Sequence, residues 1–434
     1  MKKILFILYT CCILLFPVSA QQIPSFKAND RIVFLGNSIT EGGHYHSYIW
    51  LYYMTHFPEL PLRIYNGGIG GDCASHMVFR FDSDIKIKKP TYLVCSFGMN
   101  DSGYDGYNKP GYDKYANKQV EYANTEFGKL QQQILADKKI KNVVLLGSSP
   151  YDENVKLEGV ETLHGKNETI KRIIEMQAEV AQKRGWGFVN FNTVMCELNK
   201  EIQQSDSTAT FCGGDRIHPD KDGHMVMAYL FLKAQGLAGK EVAYFHINAT
   251  NRKAMEERNC RITHIKNEND TISFSYLSRS LPFPVDTIPR WGTKGTARDA
   301  VRQVPFMQEM NQEIMKVTDL HGNFRVTIDG TEIGRWDGNE LSKGINLAEI
   351  TCTPQYQQSL SIMYLNEERC AIEKRLRQYM AMQYVFFKHR GLLFADNKAA
   401  LDAAKAERES HYLVKYLYTN YTCLLYTSDA ADEL

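Results

Sequence analysis

Five short runs rich in branched and aromatic residues, "RIVFLG", "LRIYNG", "TYLVCSFG", "NVVLLGSS" and "WGFVNF", recur between Arg31 and about Gly239, each leading into small or polar residues. Between them lie amphipathic stretches such as "NKQVEYANTEFGKLQQQILADKK" and "ETIKRIIEMQAEVAQKRG", the second closed by Gly185 in the manner of a helix C-cap. Strands alternating with helices run parallel, because each helix returns the chain to the same end of the sheet, and a parallel sheet is covered on both faces. The pattern therefore predicts an α/β fold with a doubly wound sheet, whose ligands gather at the carboxyl ends of the strands.

After "MAYLFLKAQGLAG" the period changes. "ISFSYLSRSLPFPVD" and "FRVTIDGTEIGRWDG" read as strands, and Asp329-Gly330 in the second marks a hairpin turn. The expected layout is a main α/β domain over 21–239, a β-rich module over 240–350, and a helical segment over 351–422 that braces the other two. A chain of 434 residues, 44% hydrophobic, has the length for a large core. Its net charge of +1 offers no electrostatic footprint for nucleic acid. No internal repeat or low-complexity tract is present.

Both ends call for separate treatment. "MKKILFILYTCCILLFPVSAQQ" has two lysines, an apolar stretch and small residues ending at Val18, Ser19 and Ala20, the layout of a cleavable export signal. Its apolar part is shorter than the ~20 residues of a membrane-spanning helix, so an uncleaved anchor is the weaker alternative. Residues 1–20 are expected to be removed, giving a periplasmic or extracellular protein with no stable membrane span. "CLLYTSDAADE" (Cys423 to Glu433) resembles the translation of a sequencing-library adapter. Residues 423–434 are therefore expected to lie outside the natural fold, with the natural chain continuing past Thr422.

Ten cysteines include Cys11 and Cys12 in the leader and Cys423 in the tail. Cys73, Cys95, Cys196, Cys212, Cys260, Cys352 and Cys370 remain, an odd set that leaves a thiol free. Cys95 fits a buried strand position. Cys196 and Cys212 flank a polar segment and either pair as a disulfide or stay reduced. No Cys/His cluster has zinc spacing, no G-x-S-x-G elbow occurs, and no "GxxxxGK" loop is present. Neither a metal nor an organic cofactor is expected.

Four small motifs fall at the ends of predicted strands or just beyond them: "GNSI", "NGGIGGDCAS", "FGMND" and "GGDRIHPD". Taken alone, Ser38 could cap a helix starting near Gly43. Taken together and in this order, the motifs resemble those of the SGNH hydrolases, also called the GDSL esterases and lipases, across roughly Arg31 to Gly239. The resemblance implies a flavodoxin-like sheet and a serine esterase. It assigns the nucleophile to Ser38 in Gly36-Asn37-Ser38-Ile39, where asparagine stands in place of the family's usual aspartate. It matches Gly71 and Asn100 to the second and third blocks, and Asp215 and His218 to the last. It also implies an oxyanion hole made by the Ser38 N–H, the Gly71 N–H and the Asn100 side-chain amide.

These residue types suit the chemistry. A serine hydroxyl needs a base to take its proton, and imidazole is the side chain whose pKa suits that task near neutrality. Asp215, three residues before His218, can accept the other ring N–H and fix the tautomer. Other polar residues read more plainly: Asp72 as the N-cap of the following helix, Asp101 as a support for Asn100 or its loop, His44 and His46 as pocket-wall or surface residues, and His224 as a helix packing residue. In the loop "DSGYDGYNKPGYDKYANKQVEY", Tyr104, Tyr107, Tyr112 and Tyr115 either stack on sugar rings or pack the loop itself. Tyr104, Tyr107 and Tyr112 are the candidate substrate contacts. Export, a tyrosine-rich rim and an added β module favour deacetylation of acylated carbohydrate, with a small-molecule or polysaccharide ester as the partner. A lipase, a thioesterase, an acyltransferase and an inactive glycan-binding scaffold remain as alternatives, and the oligomeric state is open.

Overall fold

The computed structural model describes residues 22–269, 271–289 and 294–432. The export-signal pattern therefore lies outside the described residues. The main domain runs β1 (Arg31–Gly36), α1 (Ser38–Glu41), α2 (His44–His56), β2 (Arg63–Gly68), α3 (Ala74–Arg80), β3 (Tyr92–Phe97), α4 (Tyr112–Ala136), β4 (Asn142–Gly147), α5 (Lys166–Arg184), β5 (Gly187–Asn190), α6 (Phe191–Ile202) and α7 (Lys221–Ala234). All five strands pair in parallel, in the order β2-β1-β3-β4-β5. That is the doubly wound order whose switch point lies beside the first strand.

The near-continuous apolar strands are explained by burial on both faces. Ile32, Phe34, Tyr92, Val94, Val144 and Leu146 face a core built with α2, α6 and α7. Val33, Leu35, Leu93, Cys95, Phe97 and Leu145 face a second core with α3 and α4. Gly185 closes α5 in the left-handed conformation, accepting the role that the "KRG" ending implies.

The β-rich module contains β6 (Ala243–Asn248), β7 (Lys253–Arg258), β8 (Cys260–Glu268) and β9 (Thr271–Ser278), then the short helices α8 (Ala297–Ala300) and α9 (Phe306–Met310). It continues with β10 (Glu313–Thr318), β11 (Asn323–Ile328), β12 (Thr331–Asp337), α10 (Gly338–Lys343) and β13 (Ile345–Asn346). One sheet has the order β13-β10-β6-β7, and β8-β9 and β11-β12 form separate two-stranded ribbons. Asp329 and Gly330 both have positive φ in the β11-β12 turn, the conformation a two-residue hairpin of the favoured twist requires.

The C-terminal helices are α11 (Pro354–Ala381), α12 (Lys398–Ala406) and α13 (Tyr412–Asp432). Pro354 opens α11, and Thr353 caps it by accepting the Tyr356 N–H, the arrangement in which proline's missing donor costs nothing. Their apolar cluster includes Met382, Phe386, Phe387, Val414 and Tyr421, and it also takes in Ile69, one residue past β2. α13 runs on beyond Thr422 to Asp432, through the stretch expected to fall outside the fold.

Cys196 and Cys212 are both free thiols, which corrects the disulfide alternative. Each faces its own partner: Asn167 donates to the Cys196 sulfur and Asn199 to the buried Cys212 sulfur, both at 3.4 Å.

Candidate active site

Strand order alone brings three of the four motifs together. β1 lies between β2 and β3, with Leu35 opposite both Gly67 and Cys95. The turns that follow these strands carry Ser38, Gly71 and Asn100 side by side at the carboxyl edge. Hydrogen bonds then tie the turns to one another. The Ile69 N–H donates to Gly36 O at 3.1 Å, the Gly70 N–H donates to Glu41 Oε2 at 2.5 Å, and Asn100 Nδ2 donates to Asp72 O at 3.0 Å.

Ser38 is the first residue of α1, and Asn37 is the cap, its Oδ1 accepting the Ile39 N–H at 3.0 Å. Ser38 is thus left free to face the site. His218 Nε2 lies 2.7 Å from Ser38 Oγ, and His218 Nδ1 lies 2.5 Å from Asp215 Oδ2. With Asp215 accepting the Nδ1–H, Nε2 carries the lone pair that accepts the Ser38 hydroxyl proton. Burial works to raise the Asp215 pKa, but the hydrogen bonds and charge of His218 and the Ile217 N–H outweigh it and hold the carboxyl below its usual value. The carboxylate is therefore ionised where an imidazolium would need it.

The turn carrying these two residues is held by features of its own. Gly213 has φ of +71°, and a Cβ there would meet His218 O at 1.9 Å, so no other residue fits without moving the turn. Arg216 also has positive φ. Its buried guanidinium donates to the carbonyls of Asp152, Val155 and Val160, which fastens the turn to the loop after β4.

Gly71 has φ of +81° and open space where a Cβ would be. Among the described residues no hydrogen bond uses the Ser38 or the Gly71 N–H, which leaves both donors available to a ligand. Asp101 is buried and receives the Ala74 and Gly98 N–H groups, so it supports the Asn100 loop, and burial raises its pKa to about 6. Asp72 is not the N-cap that its position implied. Cys73 caps α3, and the Asp72 carboxylate instead receives Arg80 Nε at 2.7 Å.

The tyrosines divide. Tyr107 is only 2% exposed and donates to Ser102 O, so it packs its own loop, and the expectation that it touches substrate is corrected. Tyr112 opens α4, is 37% exposed, and rests its ring against Gly165. Tyr104 is half-buried and donates to Asn100 Oδ1 at 2.8 Å. Tyr115 fills the space over Gly103 and Gly106. His46 is buried, bonded to Thr40 O and stacked on Phe34, and the His224 ring stacks on Tyr45.

Several residues that shape the site carried no readable signal in the sequence. Arg80 donates to Gly36 O and Gly67 O as well as to Asp72 and Asp84. Arg377, from α11, donates to Gly68 O and to both oxygens of Asp84. The Arg377 bonds span 293 to 309 residues of sequence, so no local spacing could reveal them, and the i,i+4 pair of Arg80 with Asp84 reads in sequence as an ordinary helix-surface pair.

The fold and its motifs have counterparts among known proteins. A family model described as the GDSL-like Lipase/Acylhydrolase family matches residues 34–226, and one described as the Diltiazem deacetylase C-terminal helical domain matches residues 360–430. The solved structure of a gut microbial diltiazem-metabolizing enzyme is 47% identical and covers 95% of this chain and 94% of its own, with a TM-score of 0.92. The acetylxylan esterase of Geobacillus stearothermophilus is 22% identical over 224 residues, which is 48% of this chain and 95% of that protein. One crystal structure of that esterase aligns at 21% identity, 48% of this chain and 95% of its own, with a TM-score of 0.37. With the parallel sheet, the order of the motifs and a relative of this identity along nearly the whole chain, the protein belongs to the SGNH hydrolase family and is one of its esterases.

Proposed function

We propose that the protein is an exported deacetylase that removes acetyl groups from small or carbohydrate esters through an acyl-enzyme on Ser38. The observation that carries the proposal is the unbroken hydrogen-bond chain from Ser38 Oγ through His218 to Asp215. His218 takes the Ser38 proton as Oγ attacks the ester carbonyl, and the oxyanion that forms is met by the N–H groups of Ser38, Gly71 and Asn100. His218 then gives its proton to the departing alcohol, the acetyl group remains on Oγ, and a water activated by the same imidazole attacks it, releasing acetate and returning the proton to Oγ.

The preference for acetyl rests on the match of residues 360–430 to the helical domain of diltiazem deacetylases and on the likeness to an acetylxylan esterase. The carbohydrate reading rests on the tyrosine-bearing loop, in which Tyr107 is no longer available. Likeness along the whole chain, helical module included, to the diltiazem-metabolizing enzyme favours a second class, small aromatic acetates. Export rests on the leader "MKKILFILYTCCILLFPVSAQQ". Acetate release from diltiazem and from acetylated xylo-oligosaccharides, compared between wild type and Ser38→Ala, tests the proposal. Release that needs Ser38 is expected, with turnover falling by more than ~1000-fold in the variant. Comparable release by a folded Ser38→Ala protein would sink it.

A further inference from the structure

Asn100 can serve as an oxyanion donor only if its amide points the right way. The two ends of an amide side chain have nearly the same shape, so their partners decide which end carries the N–H groups. Asp72 O can only accept, and it takes one N–H of Asn100 Nδ2 at 3.0 Å. On the other end, Tyr104 donates its hydroxyl to Asn100 Oδ1 at 2.8 Å. Asp72 O thus fixes which end carries the N–H groups, the Tyr104 hydroxyl holds the oxygen end in place, and the second Nδ2 hydrogen is left for a ligand.

Tyr104 is itself seated on a buried amine, whose charged form burial disfavours, lowering its pKa to about 7. Lys166, the first residue of α5, is fully buried, and its Nζ lies 3.7 Å from the centroid of the Tyr104 ring. That Nζ donates to Met99 O at 2.8 Å, Ser102 Oγ at 2.7 Å and Gly103 O at 2.6 Å. All three acceptors lie in the segment that carries Asn100, on both sides of it. A buried ammonium needs every hydrogen satisfied, and an aromatic face adds favourable electrostatics. Here both needs are met by the loop and ring around Asn100, which fixes that ring in place.

We propose that Tyr104, seated on Lys166, is a positioning residue that sets the Asn100 amide with its remaining N–H toward the reacting carbonyl oxygen. The proposal rests on the reading of Ser38 as nucleophile and Asn100 as oxyanion donor. Tyr104 makes and breaks no bond and acts only through Asn100.

Tyr104→Phe removes one hydrogen bond while keeping the ring over Lys166. With p-nitrophenyl acetate, kcat should fall about 10-fold, the weight of one neutral hydrogen bond, with KM and melting temperature little changed. Asn100→Ala should lower kcat by ~100-fold or more. Because Tyr104 acts through Asn100, the double variant should be no slower than Asn100→Ala alone. Losses that multiply in the double variant would overturn the proposal. Wild-type turnover that vanishes in Ser38→Ala checks the underlying esterase reading separately. A crystal structure of Tyr104→Phe reads the positioning without any turnover: an amide turned or displaced from Asp72 O supports it, and an unmoved amide overturns it.

Discussion

Asn37 shows how little a departure in sequence changes when the physical job is kept. The SGNH-type turn here has asparagine where aspartate is usual, yet Asn37 Oδ1 accepts the Ile39 N–H and caps α1. A cap needs a side-chain oxygen, and asparagine and aspartate are about equally good at it. Two buried histidines, His46 behind the nucleophile turn and His56 at the far end of α2, have a larger effect on stability. His46 and His56 are both buried, and burial lowers the pKa of each to about 4. In the unfolded chain each titrates near 6.5, so between about 6.5 and about 4 the unfolded state binds more protons. The stability contributed by keeping these rings neutral is therefore full above about pH 6.5 and declines as the pH falls toward 4, by about 3 kcal/mol for each histidine. The buried carboxyls of Asp101, Asp222 and Glu313, which burial raises to about 6, 7 and 7, act in the opposite sense over the same range, so the histidine part is read as the difference in urea unfolding between wild type and His46→Gln, whose loss of stability from about pH 6.5 to about 4 should be the smaller. An unchanged slope in the variant would contradict the assignment.

At the scale of elements, the edge strand β2 is where the helical module meets the site. An edge strand presents unpaired backbone groups, and α11 supplies side chains for them. Glu373 accepts the Asn66 N–H at 2.7 Å, and Arg377 donates to Gly68 O at 2.9 Å. Arg377 and Arg80 converge on Asp84, and Arg80 also holds Gly36 O, two residues before Ser38. Burial works to raise the Asp84 pKa, but Arg377, Arg80 and Lys88 outweigh it and hold the carboxyl far below its ordinary value. Removing Arg377 leaves Arg80 and Lys88 on Asp84 but takes two charge-assisted hydrogen bonds from that buried carboxylate and one from Gly68 O. Arg377→Met should therefore cost about 2–3 kcal/mol in urea unfolding. It should also lower esterase activity in the protein that remains folded, because Gly68 and the Gly36 turn lose a common anchor. A loss below about 1 kcal/mol would show the network to be a solvent-screened surface pair in solution.

Across the whole molecule, what the sequence disclosed and what it withheld follow one rule. The five strands and the hairpin at Asp329-Gly330 were legible because each is set by spacing within a few residues, and Ser38, Asp215 and His218, which the structure joins by hydrogen bonds, were read only from the order of four short motifs. Tyr107 misled because a loop aromatic that packs and one that binds have the same local pattern. Asp72 misled because Arg80, eight residues on, captured its carboxylate before the helix could. Lys166 and Arg377 were silent, since their partners lie 63 to 67 and 293 to 309 residues away. Activation by His218 and Asp215 should set the Ser38 hydroxyl apart from the chain's many other hydroxyls and thiols. Labelling the whole protein with a fluorophosphonate and mapping the adduct by mass spectrometry tests all of them at once. A single adduct on Ser38 that disappears in His218→Ala is the predicted result. An adduct elsewhere, or labelling of Ser38 that survives the loss of His218, would contradict the account.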